Sequence, residues 1–203
     1  MRLSRPQPLQ PHHDLSGFCC GDRSVDSWVR RRAHSNAENW LNRIVVVIDD
    51  DTQQVAGIYA LTFRRLEREA LGAFQSKGIK DGPPSIPAYF IGQFAVATTY
   101  QQQGLAAGLV KDIFQFLLEE AERGIPAPLI YLDASQEQAA SFWRHMGFTP
   151  CPELGRNAMV KELNDIAETA EALDHPDAKG KRVRMVATLK WVLYRAGLRR
   201  KSP

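Results

Sequence analysis

The chain has no apolar run long enough to cross a bilayer, and its opening, MRLSRPQPLQPHH, lacks the apolar segment a secretory signal needs. Cysteine is scarce: three in all, two of them adjacent (Cys19, Cys20), too few for a disulfide framework. Metal-ligand spacing is lacking too. His12 and His13 form an adjacent pair, and His34, His145 and His175 stand apart, so no metal site is expected. Together these absences predict a cytoplasmic, reduced protein with no transmembrane segment. Acids are missing from one region: residues 179–203 carry nine Lys or Arg and no Asp or Glu. That leaves 17 basic against 23 acidic residues in positions 1–178, so the net charge of +3 conceals a mildly acidic body and a basic tail.

What is present suits one globular domain with an appendage: 203 residues, 44% hydrophobic and 24% charged. Residues 1–163 are expected to form the domain, with 1–13 as an extended arm. Residues 164–203 are expected to add an acidic linker helix and a basic amphipathic C-terminal helix. A first helix is predicted after a cap at Asp22 or Ser24. Its apolar face would hold Val25, Trp28, Val29, Ala33, Ala37 and Trp40, opposite Arg30, Arg31 and Arg32. Arg43 to Ile48 and Val55 to Leu61 read as a hairpin, with Gly57 marking a bulge or a close backbone approach. Arg65 to Phe74 reads as a short charged helix, followed by a Gly/Pro-rich stretch, KGIKDGPPSIP, long enough for a flap. Strand Ala88 to Ala97, a helix to Arg123, strand Leu129 to Leu132 ending at Asp133, a helix capped by Ser135, and strand Ala158 to Leu163 complete the domain. This order predicts an α+β fold: a central mixed, mostly antiparallel sheet with helices on both faces.

The most informative stretch is IGQFAVATTYQQQGLAAG, residues 91–108. An apolar strand gives way to a loop of Gln101, Gln102, Gln103, Gly104, Leu105 and Ala106. A helix striped by Leu109, Val110, Ile113, Phe114, Leu117 and Leu118 follows. The first amides of a helix have no internal partner and its dipole favours negative charge there, so the junction suits a phosphate. No Lys or Arg lies in the loop, which leaves the amides to bind the anion.

The spacing Gln-x-x-Gly-x-Ala resembles the pyrophosphate loop of the GNAT acetyltransferase superfamily. Downstream, Ala139-Ala140-Ser141-Phe142-Trp143-Arg144-His145-Met146-Gly147-Phe148 resembles its A-x-x-F-Y-x-x-x-G-F helix. The opening Phe18-Cys19-Cys20-Gly21 with Val25, Trp28 and Val29 is similar to the start of the branch of aminoacyl-tRNA-acetylating toxins. The resemblance covers roughly residues 13–163 and is weakest over 64–87. It implies an acetyl-CoA-dependent N-acetyltransferase without a metal. Gln101 to Gly104, with Leu105, Ala106 and Ala107, would hold the pyrophosphate, and the backbone of Phe94, Ala95 and Val96 the pantetheine arm. Phe142 is counted with these cofactor residues. The implied acceptor is a primary amine, on aminoacyl-tRNA or on a small molecule or protein. The implied partners are tRNA, a ribbon-helix-helix antitoxin and a second copy of the chain.

One position departs from the pattern. The family's tyrosine, whose hydroxyl protonates the leaving thiolate, is replaced here by Trp143, and an indole N–H transfers no proton near neutral pH. Three readings stand: Ser135 or Tyr131 substitutes, a water substitutes, or the chain binds acetyl-CoA with little turnover. Trp143 also reads simply as core. In the tail, Met185, Val186, Leu189, Val192, Leu193 and Ala196 line one face, ringed by Arg182, Arg184, Lys190, Arg195, Arg199 and Arg200. That face suits an RNA, membrane or partner surface, or docking on the chain's own acidic body.

Overall fold

The computed structural model describes residues 2–72, 79, 81–125, 127–134 and 136–174, with backbone alone from 170 onward. Ser135 and the basic segment 179–203 therefore lie outside the described residues. Seven strands form one sheet in the order β1-β2-β3-β4-β5-β7-β6. They are β1 (Gln7–Pro8), β2 (Arg43–Ile48), β3 (Val55–Glu67), β4 (Ser85–Val96), β5 (Leu129–Asp133), β6 (Thr149–Pro150) and β7 (Ala158–Glu162). The helices are α1 (Arg23–Glu38), α2 (Leu105–Glu122), α3 (Glu137–His145) and α4 (Leu163–Asp174). Pairs β1–β2, β2–β3, β5–β7 and β6–β7 are antiparallel, giving the mostly antiparallel α+β sheet expected. The chain divides into two compact units, 1–62 with 91–112 and 63–90 with 113 onward.

In the first unit, Asp22 caps α1 by accepting from the amides of Ser24 (2.8 Å) and Val25 (3.2 Å), which have no carbonyl partner inside the helix. Val29 and Ala33 are fully buried. Asp26 is buried, accepts the Cys20 amide at 2.7 Å and is stabilised as a carboxylate in part by the Arg30 charge. One expectation fails here. Trp40 is not on the buried face, because the helix stops at Glu38 and the indole is 94% exposed. Of the arm expected over residues 1–13, residues 3–9 run extended beside β2 and residues 11–13 turn, so the segment is no loose arm. Gln7 and Pro8 pair with β2, the Leu9 amide donates to the Ile44 carbonyl at 2.9 Å, and Leu9 is buried.

The β2–β3 register is regular up to Val47 opposite Gly57 and then slips, with Ile48 opposite Val55. The extra residue makes the bulge expected beside Gly57. Asp49, at the turn, is buried and accepts the Tyr100 hydroxyl at 2.8 Å, which holds its carboxyl below the usual range.

In the second unit, the helix expected over Arg65 to Phe74 is replaced. Strand β3 continues to Glu67, and a short 3-10 turn covers Arg68–Leu71. Leu66 points into the core while Phe63 is exposed, and the Arg65 Nε donates to Ser85 Oγ at 3.0 Å at the start of β4. Pairing with a neighbouring strand overrides the local helical pattern. Of the Gly/Pro-rich stretch read as a flap, Lys77, Gly78 and Lys80 lie outside the described residues, and Ser85–Pro87 already belong to β4. A core of Leu66, Leu71, Ile86, Phe90, Leu129 and Val160 includes Cys151, which behaves as the small hydrophobe expected.

Candidate functional site

Strand β4 delivers the loop. After Val96, a 3-10 turn over Thr98–Tyr100 is pinned by the bond from Tyr100 to Asp49 and by the Thr98 amide donating to the Cys19 carbonyl at 2.9 Å. Tyr100 is a positioning residue the sequence did not reveal, since its partner lies 51 positions away. Gln101 then turns back. Its Nε2 donates to the carbonyls of Val96 and Cys20, each at 2.9 Å, tying the loop to the strand end and to the segment before α1. Gln103 Nε2 donates to the Thr99 carbonyl at 2.9 Å. Both amide side chains are thus engaged with backbone and hold the loop's shape.

Gln102 sits at φ +59 and Gly104 at φ +85. A Cβ on Gly104 would meet no protein atom within 4 Å, so glycine answers to the backbone angle there rather than to crowding within the chain. The Gly108 amide donates to the Gly104 carbonyl at 3.1 Å and closes the first turn of α2. By helix geometry, the amides of Leu105, Ala106 and Ala107 precede any available carbonyl four residues back. They point along the axis at the positive end of an 18-residue helix, and small side chains flank them at 106 and 107.

The close backbone approach expected at Gly57 sets how that helix lies. A Cβ on Gly57 would stand 2.8 Å from Leu109 Cδ1 and 3.4 Å from Leu105 Cδ2, so glycine lets the first turns of α2 press on β3. Tyr59, also on β3, donates to Asp112 Oδ2 at 2.6 Å and ties the strand to the same helix. Phe94 is half-buried, and Ala95 and Val96 are buried on β4.

The second unit carries the remaining candidates. Trp143 is buried and packs edge-on against Phe148 at 5.0 Å and Phe142 at 5.2 Å. Its surroundings are those of a core residue. Phe142 itself is half-buried. The N-cap of α3 is Gln136, with no side-chain cap bond, in place of the expected Ser135, which lies outside the described residues. Tyr131 stacks on Phe90 at 5.1 Å and donates to both carboxylate oxygens of the exposed Asp133, at 2.8 and 2.9 Å. Burial, then that hydrogen bond and the Asp133 charge, push the Tyr131 hydroxyl from 10 up to about 12. Tyr131 is therefore a protonated hydroxyl throughout the physiological range. Among the described residues, no group of His, Cys, Asp and Glu is arranged to hold a metal, and no helix is long and apolar enough to cross a membrane.

Comparison with known proteins agrees with this layout. Residues 41–150 match the family described as acetyltransferase (GNAT) domain, a span holding the hairpin, the loop, α2 and α3. A probable toxin TacT from Sinorhizobium fredii is 29% identical over 157 residues, 73% of this chain and 85% of the relative. A tRNA-acetylating toxin from Mycobacterium tuberculosis is 26% identical over 151 residues, 73% of this chain and 86% of the relative. The solved structure of AtaT complexed with acetyl-methionyl-tRNA superposes with a TM-score of 0.73 at 24% identity, covering 82% of this chain and 98% of that one. An AtaT variant bound to the C-terminus of the antitoxin AtaR and acetyl-CoA gives a TM-score of 0.67 at 22% identity, covering 82% and 96%. With its strand, loop and helix in family order and more than half its length matched, the chain belongs to the GNAT acetyltransferase family.

Proposed function

We propose that this acetyltransferase transfers the acetyl group of acetyl-CoA to the free α-amine of aminoacyl-tRNA, as a cytoplasmic, toxin-like inhibitor of translation. The observation that carries the cofactor side is the uncharged turn from β4 into α2. Gln101 and Gln103 engage their side-chain amides with the backbone carbonyls of Val96, Cys20 and Thr99, which leaves the amides of Leu105, Ala106 and Ala107 to receive a diphosphate. These residues fit the group: the approach over Gly104 is open and the side chains around the amides are small. Phe94, Ala95 and Val96 supply backbone groups for the pantetheine arm. When bound, acetyl-CoA supplies the acetyl thioester. The acceptor side rests on the relatives that act on tRNA, and by the same analogy a ribbon-helix-helix antitoxin and a second copy of the chain are the expected partners.

The chemistry makes modest demands on a base. An α-amine has an ordinary pKa of about 7.7–8.0, against about 10.4 for a lysine ammonium, so much of it is neutral near pH 7.5 without help. Positioning the amine then supplies much of the rate. Trp143 contributes packing and no proton. Tyr131, protonated up to about 12, is a phenol of the same kind as the family's proton donor, with Asp133 orienting it.

The test is calorimetric titration with acetyl-CoA, paired with transfer of labelled acetyl to charged tRNA. A Gly104→Trp, Ala106→Trp double variant is expected to stay folded and lose acetyl-CoA binding. Wild type is expected to bind and to label charged but not uncharged tRNA. A folded wild type that does not bind acetyl-CoA overturns the cofactor assignment. Binding without transfer to any amine makes the chain a GNAT-fold acyl-CoA-binding module.

A further inference from the structure

Helices α1 and α3 end on the same hydrogen-bond pattern with different residues at the turn. At the end of α3 the Gly147 amide donates to the Arg144 carbonyl and the Phe148 amide to the Trp143 carbonyl, each at 3.0 Å, with Gly147 at φ +86. At the end of α1 the Trp40 amide donates to the Ala37 carbonyl at 3.2 Å and the Leu41 amide to the Asn36 carbonyl at 3.0 Å, with Trp40 at φ +58. Glycine is the usual residue at this left-handed position, because a Cβ there crowds the following carbonyl. Tryptophan is disfavoured a second way, since its indole is 94% exposed and the neighbouring Leu41 is 60% exposed. Neither the turn nor the core of this unit selects the residue.

Its surroundings indicate what does. Trp40 stands just past the end of α1, where the chain folds back onto Asn36 through the Leu41 amide. Arg30, Arg31 and Arg32 are exposed along α1, and Arg43 is exposed three residues past Trp40. Of the two acids on α1, Asp26 is buried, bonded to the Cys20 amide and offsets Arg30, so Glu38 is the one exposed acid on a helix with three consecutive exposed arginines. A solvent-facing aromatic ring at the end of a helix with an exposed arginine run suits unpaired nucleotides: phosphates meet the arginines and a base stacks on the ring.

We infer that Trp40, at the end of the helix that carries the exposed Arg30, Arg31 and Arg32, is a stacking platform for an unpaired base of the RNA acceptor. The inference rests on the aminoacyl-tRNA reading above and adds to it a contact surface away from the cofactor loop.

The experiment measures binding of fluorescently labelled aminoacyl-tRNA across a salt series, with acetyl-CoA affinity measured on every variant. Trp40→Gly suits the left-handed turn, so its thermal midpoint is expected to equal or exceed that of wild type. Its acetyl-CoA affinity is expected to be unchanged, while its tRNA affinity falls about tenfold. The dependence on salt should keep its slope, because stacking releases no counterions. Arg31→Ala with Arg32→Ala should instead flatten the slope by about 1.5. Trp40→Phe retains an aromatic face and should recover most of the affinity. Wild-type tRNA affinity in folded Trp40→Gly overturns the inference and leaves the function standing. The same holds if Trp40→Gly loses only self-association or binding of a protein partner. A wild type that binds acetyl-CoA but neither binds nor acetylates charged tRNA overturns the acceptor reading and this inference together.

Discussion

Gly57 carries more of the site than any polar residue in the loop. The 2.8 Å approach of Leu109 to its missing Cβ means that alanine must displace a side chain that is itself fully buried. Gly57→Ala is expected to destabilise the protein by about 1–3 kcal/mol, the usual range for overpacking. It should also weaken acetyl-CoA binding, because the first turn of α2 carries the amides proposed to bind the diphosphate. Chemical denaturation and calorimetry on the same sample check both effects. A stability loss with unchanged cofactor affinity would show that the amides do not depend on the seat of the helix. Tyr131 offers a titration. Its folded pKa of about 12 lies above its ordinary 10, so its contribution to stability is complete below pH 10 and is lost as pH rises through 12. Burial also pushes Tyr59, Tyr89 and Tyr100 up, so tyrosinate absorbance should show several late-titrating hydroxyls, of which Tyr131→Phe removes one. In Asp133→Asn that hydroxyl should titrate earlier, since the carboxylate charge is gone.

At the scale of elements, α3 is held by its aromatic face. Trp143 wedges between Phe142 and Phe148, and Phe148 in turn stacks on Phe114 at 6.3 Å. Removing the indole in Trp143→Ala is expected to cost about 3–5 kcal/mol, measured by denaturant unfolding. Trp143→Tyr keeps most of that packing, and any gain in acetyl transfer it brings reports chemistry rather than folding. Elements also show where the sequence could be read. The β4 loop and α2 were legible because their signals are local: an apolar strand, a glycine, small residues and a clean helical stripe. Strand β2 was legible because its five consecutive β-branched residues, Ile44 to Ile48, leave few alternatives. The second half of β3 was not, because Phe63-Arg64-Arg65-Leu66-Glu67 looks helical by charge and spacing. Its strand character comes from partners distant in sequence, with Arg65 meeting Ser85 and Arg64 lying 4.2 Å over the Phe90 ring. The end of α1 was misread for the opposite reason. Its stop is local, but the glycine that usually announces such a stop is a tryptophan, and the apolar periodicity runs on through it.

Across the whole molecule, the family and its cofactor chemistry were legible from two motifs in the right order, whereas the roles of individual site residues needed geometry. Gln101 and Gln103 donate their side-chain amides to backbone carbonyls, and Trp143, at the position where the family has its tyrosine, is buried between Phe142 and Phe148. The sheet has one further property, which concerns the company the protein keeps in a crowded cell. Both of its outermost strands, β1 and β6, are two residues long, and each contains a proline, Pro8 or Pro150. Proline has no amide hydrogen to offer a neighbouring strand, and so short a border gives a second sheet little to join. Behind β1 lies Arg43-Ile44-Val45-Val46-Val47-Ile48, the kind of segment that stacks into fibrils when its edge is bare. The stopper on that edge precedes the dangerous strand in the chain, so it leaves the ribosome first and is at hand when β2 appears.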